Sequence, residues 1–416
     1  MRLLHTADWH LGHGLHDHPR THEHRAFLAW LLGVLARERV DALLVAGDVF
    51  DVANPPTAAL WDWYGFLAQA QAARPGLQIV VVGGNHDSPA RLDVTNALLP
   101  SPVRVVGGLP RRPDGTPDLD RLLVPLGGDP ARPDAWCLAV PFLRPSDLPT
   151  VDGAGKDPLD EGVRALYREV VEAAKARRSN GQPIIAMGHC YMTGTALSEL
   201  SERRILGGNQ HALPVDLFAD DLAYVALGHL HLAQTVGGHE HVRYSGSPIP
   251  LSFAEIGYRH QVCLVDLDGA GPARVTSIPV PRTVEVLRVP TDRARPLEEV
   301  LPVLRALADH TGALDDPTRP LLEVRVLCDK PQPRLRQEIE AATAGKRPRL
   351  LRIALEAAGN GQALGDGRAR HTLHDVTPLD VFRRRYEQAH GGEPTPELVA
   401  AFCDLLDAEE RGDGAA

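Results

Sequence analysis

The sequence predicts a layered α/β domain, then a smaller α+β domain and a pair of C-terminal helices. Three observations carry this reading. Over the first hundred residues short apolar runs alternate with helical segments, the pattern of sheet layers covered by helices. The alternation restarts on a smaller scale beyond residue 283. Two helix-start signals, Thr377-Pro378 and Thr395-Pro396, then follow a glycine-rich stretch. A chain of 416 residues exceeds one ordinary domain, and the expected divisions are 1–282, 283–367 and 368–416.

Residues 2–7, 43–46 and 79–82 are short and apolar and read as buried strands. Helices are expected between them at 22–38 and 57–73, and Ser88-Pro89 opens another. Residues 107–135 are rich in Gly, Pro and Asp and read as loop. Apolar runs return at 184–187, 223–227 and 261–267, and Pro279, Pro281 and Arg282 read as a linker. In the small domain the expected strands are 284–290, 321–328 and 350–356, with helices at 297–309 and 333–343. Gly359, Gly361, Gly365 and Gly367 read as a flexible tether, followed by helices at 378–390 and 396–409.

A net charge of −10 argues against a protein that coats DNA by neutralising phosphates. It leaves open an enzyme that carries divalent cations, or a subunit that borrows basic surface from a partner. The five cysteines are scattered and form no CxxC pair, which reads as reduced thiols of a cytoplasmic protein. No apolar run is long enough to span a membrane. With Asp8 so near the start, no signal peptide is expected.

The chemistry is carried by a repeated arrangement. Five times an apolar run ends in a residue able to bind metal: Asp8-Trp9-His10, Gly47-Asp48-Val49-Phe50-Asp51, Gly84-Asn85-His86-Asp87, Gly188-His189 and Gly228-His229-Leu230-His231. Open α/β sheets bind ligands at the carboxyl ends of their strands, and glycine there lets the backbone turn sharply. Asp8 and His10 lie two apart, as do His229 and His231, a spacing that puts both side chains on one face of an extended segment. Each piece alone is weak, since a lone Gly-Asp is usually a turn and a lone His a hydrogen-bonded core or surface residue. Five together, each at a strand end, point to a metal site.

These motifs, complete and in order, resemble the calcineurin-like metallophosphoesterase superfamily. Within it, His5-Thr6-Ala7-Asp8-Trp9-His10-Leu11-Gly12, Pro141-Phe142-Leu143-Arg144-Pro145 and the stretch Gly246–Phe253 resemble the bacterial SbcD family of nuclease subunits. The resemblance covers residues 1 to about 265. It implies two mixed sheets flanked by helices, a capping domain that recognises DNA, and hydrolysis of phosphodiesters at two divalent cations, with manganese the implied metal. One ion would be held by Asp8, His10, Asp48 and His231, and the other by Asp48, Asn85, His189 and His229. Asp48 would bridge them. His86 would be the histidine outside the ligand set that stabilises the transition state or protonates the leaving oxygen. Asp87 would orient His86, or else cap the next helix. The resemblance further implies 3′-to-5′ exonuclease activity on double-stranded DNA ends, hairpin endonuclease activity, and a coiled-coil ATPase partner of the SbcC type in DNA repair and recombination. A general phosphodiesterase or phosphatase without a partner is the alternative, and a catalytically silent scaffold a third.

Other features weigh less. His13, His16, His18, His22 and His24 show no regular ligand spacing and read as a solvated loop entering a helix. Gly153-Ala154-Gly155-Lys156 lacks the full phosphate-loop pattern. Tyr191 could stack on a base or pack in the core. The helix at 57–73 is apolar on two flanks, one with Leu60, Trp61, Tyr64, Leu67 and Ala68, the other with Trp63, Phe66 and Ala70. The expectation is that the Trp63 and Phe66 flank meets a second copy of the chain in a homodimer. A terminal helical hairpin with stripes Leu379, Phe382, Tyr386 and Leu398, Phe402, Leu405, Leu406 is expected to grip the ATPase.

Overall fold

Alternation of side chains along the strands decides how the first 280 residues pack. The computed structural model describes residues 1–98, 102–148, 158–179, 181–196, 212–218, 222–313, 315–328, 332–357 and 378–390, with 392, 394, 395, 398, 399, 401 and 402. One six-stranded mixed sheet runs in the order Arg274–Pro279, Gln261–Asp266, Arg2–Thr6, Ala42–Ala46, Gln78–Val82, Val103–Val106. A second runs Gln234–Val236, His239–Tyr244, Tyr224–Gly228, Ile184–His189, Ala135–Ala139, Leu123–Leu126. Leu3, Leu44, Val80 and Val82 face the second sheet. Leu4, Leu43, Val45 and Val81, one position out of phase, face the helices Thr21–Arg37 and Thr57–Ala73. The parallel strands of each sheet bring their carboxyl ends to one edge of the sandwich, where all five motifs lie.

Several expectations change. The stretch 107–135 is not all loop, because the short helix Leu119–Leu122 and the strand Leu123–Leu126 fall inside it. Pro125 is tolerated there because the strand is at the sheet edge. The expected linker around Pro279 is in part the edge strand Arg274–Pro279. The helix Pro158–Arg177 and the hairpin Gln234–Val236/His239–Tyr244 lie where no element is expected from the sequence.

The flank of the helix Thr57–Ala73 expected to meet a second copy lies in the core, beside Leu67 of the other flank. Trp63 and Phe66 are buried against Trp9, with ring centroids at 5.8 and 5.3 Å, so they belong to the core. The solvent side carries Trp61, 74% exposed, and its neighbour helix Pro89–Leu98 exposes Val94 and Leu98.

Strands Val286–Val289, Leu321–Cys328 and Arg349–Ala357 form a parallel sheet. Its crossover helices Leu297–Arg305 and Leu335–Thr343 bury Val300, Leu304 and Ile339 against Val324 and Val326. A separate apolar cluster of Leu15, Phe253, Val284, Val286 and Leu321 fastens this sheet to the first domain, and His16 stacks on Phe253 at 5.6 Å. By backbone contacts Met1–Glu202 and His211–Ala358 make one compact unit, and Arg203–Gln210 with Gly359–Ala416 another. Within the second, the helix Pro378–His390 is described, and the Phe382 ring stacks on Phe402 at 4.2 Å. The expected tether at 359–367, Leu405, Leu406 and most of the helix at 396–409 lie outside the described residues, as does Gly153–Lys156. Among the described residues no helix is long and apolar enough to cross a membrane.

Candidate metal centre

The loops that follow the strands are tied to one another before any side chain is considered. The Asp8 and His10 amides donate to the carbonyl oxygens of Gly47 and Asp48, each at 3.0 Å. Gly228 passes so near the Ala46 carbonyl that a Cβ would collide with it, and a Cβ at Gly84 would strike the Asp48 carboxylate. Asp8, His10, Asp48 and His229 all adopt left-handed backbone, with φ of 54, 46, 50 and 105°. Such angles in side-chain-bearing residues are sparsely populated and concentrate where function holds a strained geometry. The fold therefore concentrates conformational strain on the residues that the motifs single out.

Their side chains converge. Potential ligand atoms of Asp8, His10 and His231 lie within 4.8 Å of one another, and so do those of Asp8, Asp48 and His189. His86 joins a third such group with His10 and Asp48. The Asn85 Oδ1 lies 3.0 Å from His189 Nε2 and 3.1 Å from His229 Nδ1. Asp48 Oδ2 is 3.4 Å from His189 Nε2 and 3.5 Å from His10 Nε2, which sets it between the two halves of the cluster. The structure thus brings all of Asp8, His10, Asp48, Asn85, His86, His189, His229 and His231 to one place.

The electrostatics suit cations. Asp8 Oδ2 and His10 Nε2 are buried with no hydrogen-bond partner among the described residues, an arrangement that asks for an ion. Burial raises the Asp8 carboxyl to about 6, although His189 and His231 oppose it. Burial acts the same way on Asp48, but His189, His86 and His10 outweigh it and hold that carboxyl well below its ordinary range. Burial disfavours charge on His189, yet Asp48 and Asp8 overcome it and raise the ring to about 9. Burial depresses His229 to about 3. Two carboxylates, an amide oxygen and several imidazoles make a mixed O/N donor set suited to divalent transition metals. The residues fit two divalent cations.

Carboxylates outside the expected set orient the rings. His10 Nδ1 is 3.2 Å from Asp51 Oδ1, and His231 Nδ1 is 3.0 Å from Glu255 Oε1. His86 Nδ1 donates to the Asp51 carbonyl oxygen at 2.7 Å, which leaves the lone pair of the neutral ring on Nε2. Asp87 does neither thing expected of it. Its carboxylate accepts from the amides of Val49, Phe50 and Gly84 at 3.0–3.1 Å and so pins the Asp48 loop to the Asn85 loop. Sequence reasoning missed Glu255, whose only signal was a buried acid in an apolar stretch, Ser252-Phe253-Ala254-Glu255-Ile256. The histidines of 13–24 form no three-residue ligand group among the described residues. Tyr191 packs against the core.

Comparison with known proteins fits this geometry. The family model for calcineurin-like phosphoesterases matches residues 1–233, which contain every motif residue. A second, described as the type 5 capsule protein repressor C-terminal domain, matches residues 280–390. The chain is 45% identical to the SbcD component of nuclease SbcCD from Rhodobacter capsulatus, covering 82% of this chain and 84% of that one. It is 34% identical to the corresponding component of nuclease SbcCD from Escherichia coli K12, covering 92% of each. With the double-strand break repair protein Mre11 of Aeropyrum pernix it shares 26% identity, over 92% of this chain and 86% of that one. The chain is a metallophosphoesterase of the calcineurin-like class. Within that class it belongs to the SbcD family.

Proposed function

We infer that this chain is the metal-dependent nuclease subunit of a DNA repair complex and hydrolyses phosphodiester bonds. The observation that carries the reading is the convergence of five strand-end motifs on one buried cluster in which Asp8 Oδ2 and His10 Nε2 have no hydrogen-bond partner among the described residues. Asp8, His10, Asp48 and His231 would hold one cation, and Asp48, Asn85, His189 and His229 the other. When bound, two such cations would polarise a phosphodiester and lower the pKa of an attacking water. The metal proposed is manganese.

The remaining chemistry belongs to the chain. The Asp48 carboxylate accepts the His86 amide at 2.9 Å, which fixes the His86 backbone beside the cluster. Because His86 Nδ1 is committed to the Asp51 carbonyl, Nε2 is the nitrogen available to carry a proton to the leaving oxygen. His189 Nδ1 donates to the Ala46 carbonyl at 2.9 Å and is oriented in the same way.

The proposed substrate is double-stranded DNA, attacked at 3′ ends and at hairpins, and the proposed partner is the coiled-coil SbcC-type ATPase. Residues 283–367 would cap the DNA and 368–416 would dock the ATPase. A homodimer would form through the exposed Trp61 side of the helix Thr57–Ala73 together with Val94 and Leu98. The cytoplasm is the proposed compartment. Digestion of a labelled hairpin duplex with manganese, with and without the ATPase, tests the reading. Manganese-dependent opening of the hairpin supports it, and cleavage of small phosphate esters alone overturns it.

A further inference from the structure

The turn Leu251–Ile256 touches both the metal cluster and the small domain. Its centre is Glu255, a carboxylate with no exposed surface. Oε1 accepts from His231 Nδ1 at 3.0 Å and from Ser252 Oγ at 3.3 Å, and Oε2 accepts from the Leu251 amide at 2.8 Å. A buried acid is retained only where such partners satisfy it. The His231 bond also selects a tautomer. With Nδ1–H given to Glu255, the lone pair of the neutral ring lies on Nε2, and the ring cannot rotate without breaking the bond.

Two residues before Glu255, on the same short helical turn, Phe253 enters the apolar cluster that holds the small domain in place. Its neighbours there are Val284 and Val286 from the start of that domain, Leu321 from its central strand, and Leu15 from the short strand Gly14–Leu15 that follows the metal-cluster residue His10. Ile256, directly after Glu255, packs on the same cluster. The backbone therefore places one side chain in the domain joint and the next but one on a metal-cluster histidine, with only Ala254 between the two.

We propose that Glu255 is the positioning residue of His231, and that the Leu251–Ile256 turn makes metal affinity depend on how the small domain is seated. Shifting Val286 or Leu321 displaces Phe253, tilts the turn and moves the Glu255 carboxylate away from His231 Nδ1. The inference rests on the reading that His231 holds a cation.

Manganese titration calorimetry on the full chain tests it, using wild type, Glu255→Gln, Phe253→Ala and His231→Ala, each checked for folding by circular dichroism. Glu255→Gln keeps the shape but loses the charge, and should weaken one manganese site about 10–100-fold, the range for outer-shell partners of metal-bound histidine. Phe253→Ala leaves the carboxylate intact and should weaken the same site by a smaller factor. In metal-free wild-type protein labelled with ¹⁵N-histidine, the His231 ring should carry a proton on Nδ1, the nitrogen given to Glu255. If Glu255→Gln binds manganese as wild type does while His231→Ala loses it, the positioning role is wrong. If Phe253→Ala alone binds as wild type, the link to the small domain is wrong. If His231→Ala also binds normally, the assignment of His231 to the metal fails first. Should Glu255→Gln not fold, the wild-type spectrum decides, because a His231 ring that carries its proton on Nε2 and none on Nδ1 overturns the proposal.

Discussion

Replacing Asp87 by alanine removes one buried carboxylate and leaves the amides of Val49, Phe50 and Gly84 without an acceptor. An orphaned buried donor costs about 1–3 kcal/mol, so the three together cost ~3–6 kcal/mol after local relaxation. That is a large share of a native stability of ~5–15 kcal/mol. At roughly 2–4 °C per kcal/mol, the apparent melting temperature should fall by about 6–24 °C. The melt is followed by circular dichroism in the presence of a chelator, so that bound cations do not mask the loss. Asp87→Asn keeps one acceptor oxygen and should lie between alanine and wild type. Activity per folded molecule, measured well below the melt with saturating manganese, should fall less than for His86→Ala. An alanine variant with wild-type melting temperature and collapsed activity would refute the reasoning, since that is how a direct partner of the His86 ring would behave.

Trp63→Ala should cost about 3–5 kcal/mol in stability, as a fully buried aromatic does. Trp61→Glu, on the exposed side, should change stability by under ~0.5 kcal/mol yet convert a dimer to a monomer in light scattering; a persisting dimer would put the interface elsewhere. Truncation after Gly367 should preserve manganese-dependent cleavage of simple substrates and abolish co-purification with the ATPase, whereas full-strength co-purification would move the docking surface to residues 1–367. Burial holds the Cys137 thiol well above its ordinary value, raises Cys263 as well, and pushes Cys190 up to about 12. Native protein at mildly alkaline pH should therefore alkylate slowly at all three, and rapid labelling of Cys190 would contradict the packing around it.

The metal cluster is legible in the sequence because its signal is local. Each motif is a glycine or short turn ending an apolar strand, and the chemistry of Asp8, Asp48, Asn85 and the histidines is visible residue by residue. The parts that are not legible depend on tertiary choice. The flanks of the helix Thr57–Ala73 are both apolar, and only the Trp9 contact tells which one is core. Glu255 finds His231 across 24 positions of chain, a pairing that no periodicity announces. Asp87 looks like a partner for its neighbour His86, but three convergent amides compete for it and win. The hairpin Gln234–Val236/His239–Tyr244 does carry a local signal, the Gly237-Gly238 turn with φ of 56 and 80°, although the strands it joins are too short and polar to stand out as apolar runs.

Metal content and nuclease activity measured side by side on two variants test the central claim most directly. Wild type should retain two manganese ions per chain by mass spectrometry. Asp48→Ala, which removes the carboxylate between the two halves of the cluster, should lose most of that metal together with all DNA cleavage. His86→Ala should keep both ions and lose most cleavage, because its role is the proton and not the metal. If His86→Ala sheds metal as completely as Asp48→Ala, or if Asp48→Ala keeps both ions, the division of labour drawn from this cluster is wrong.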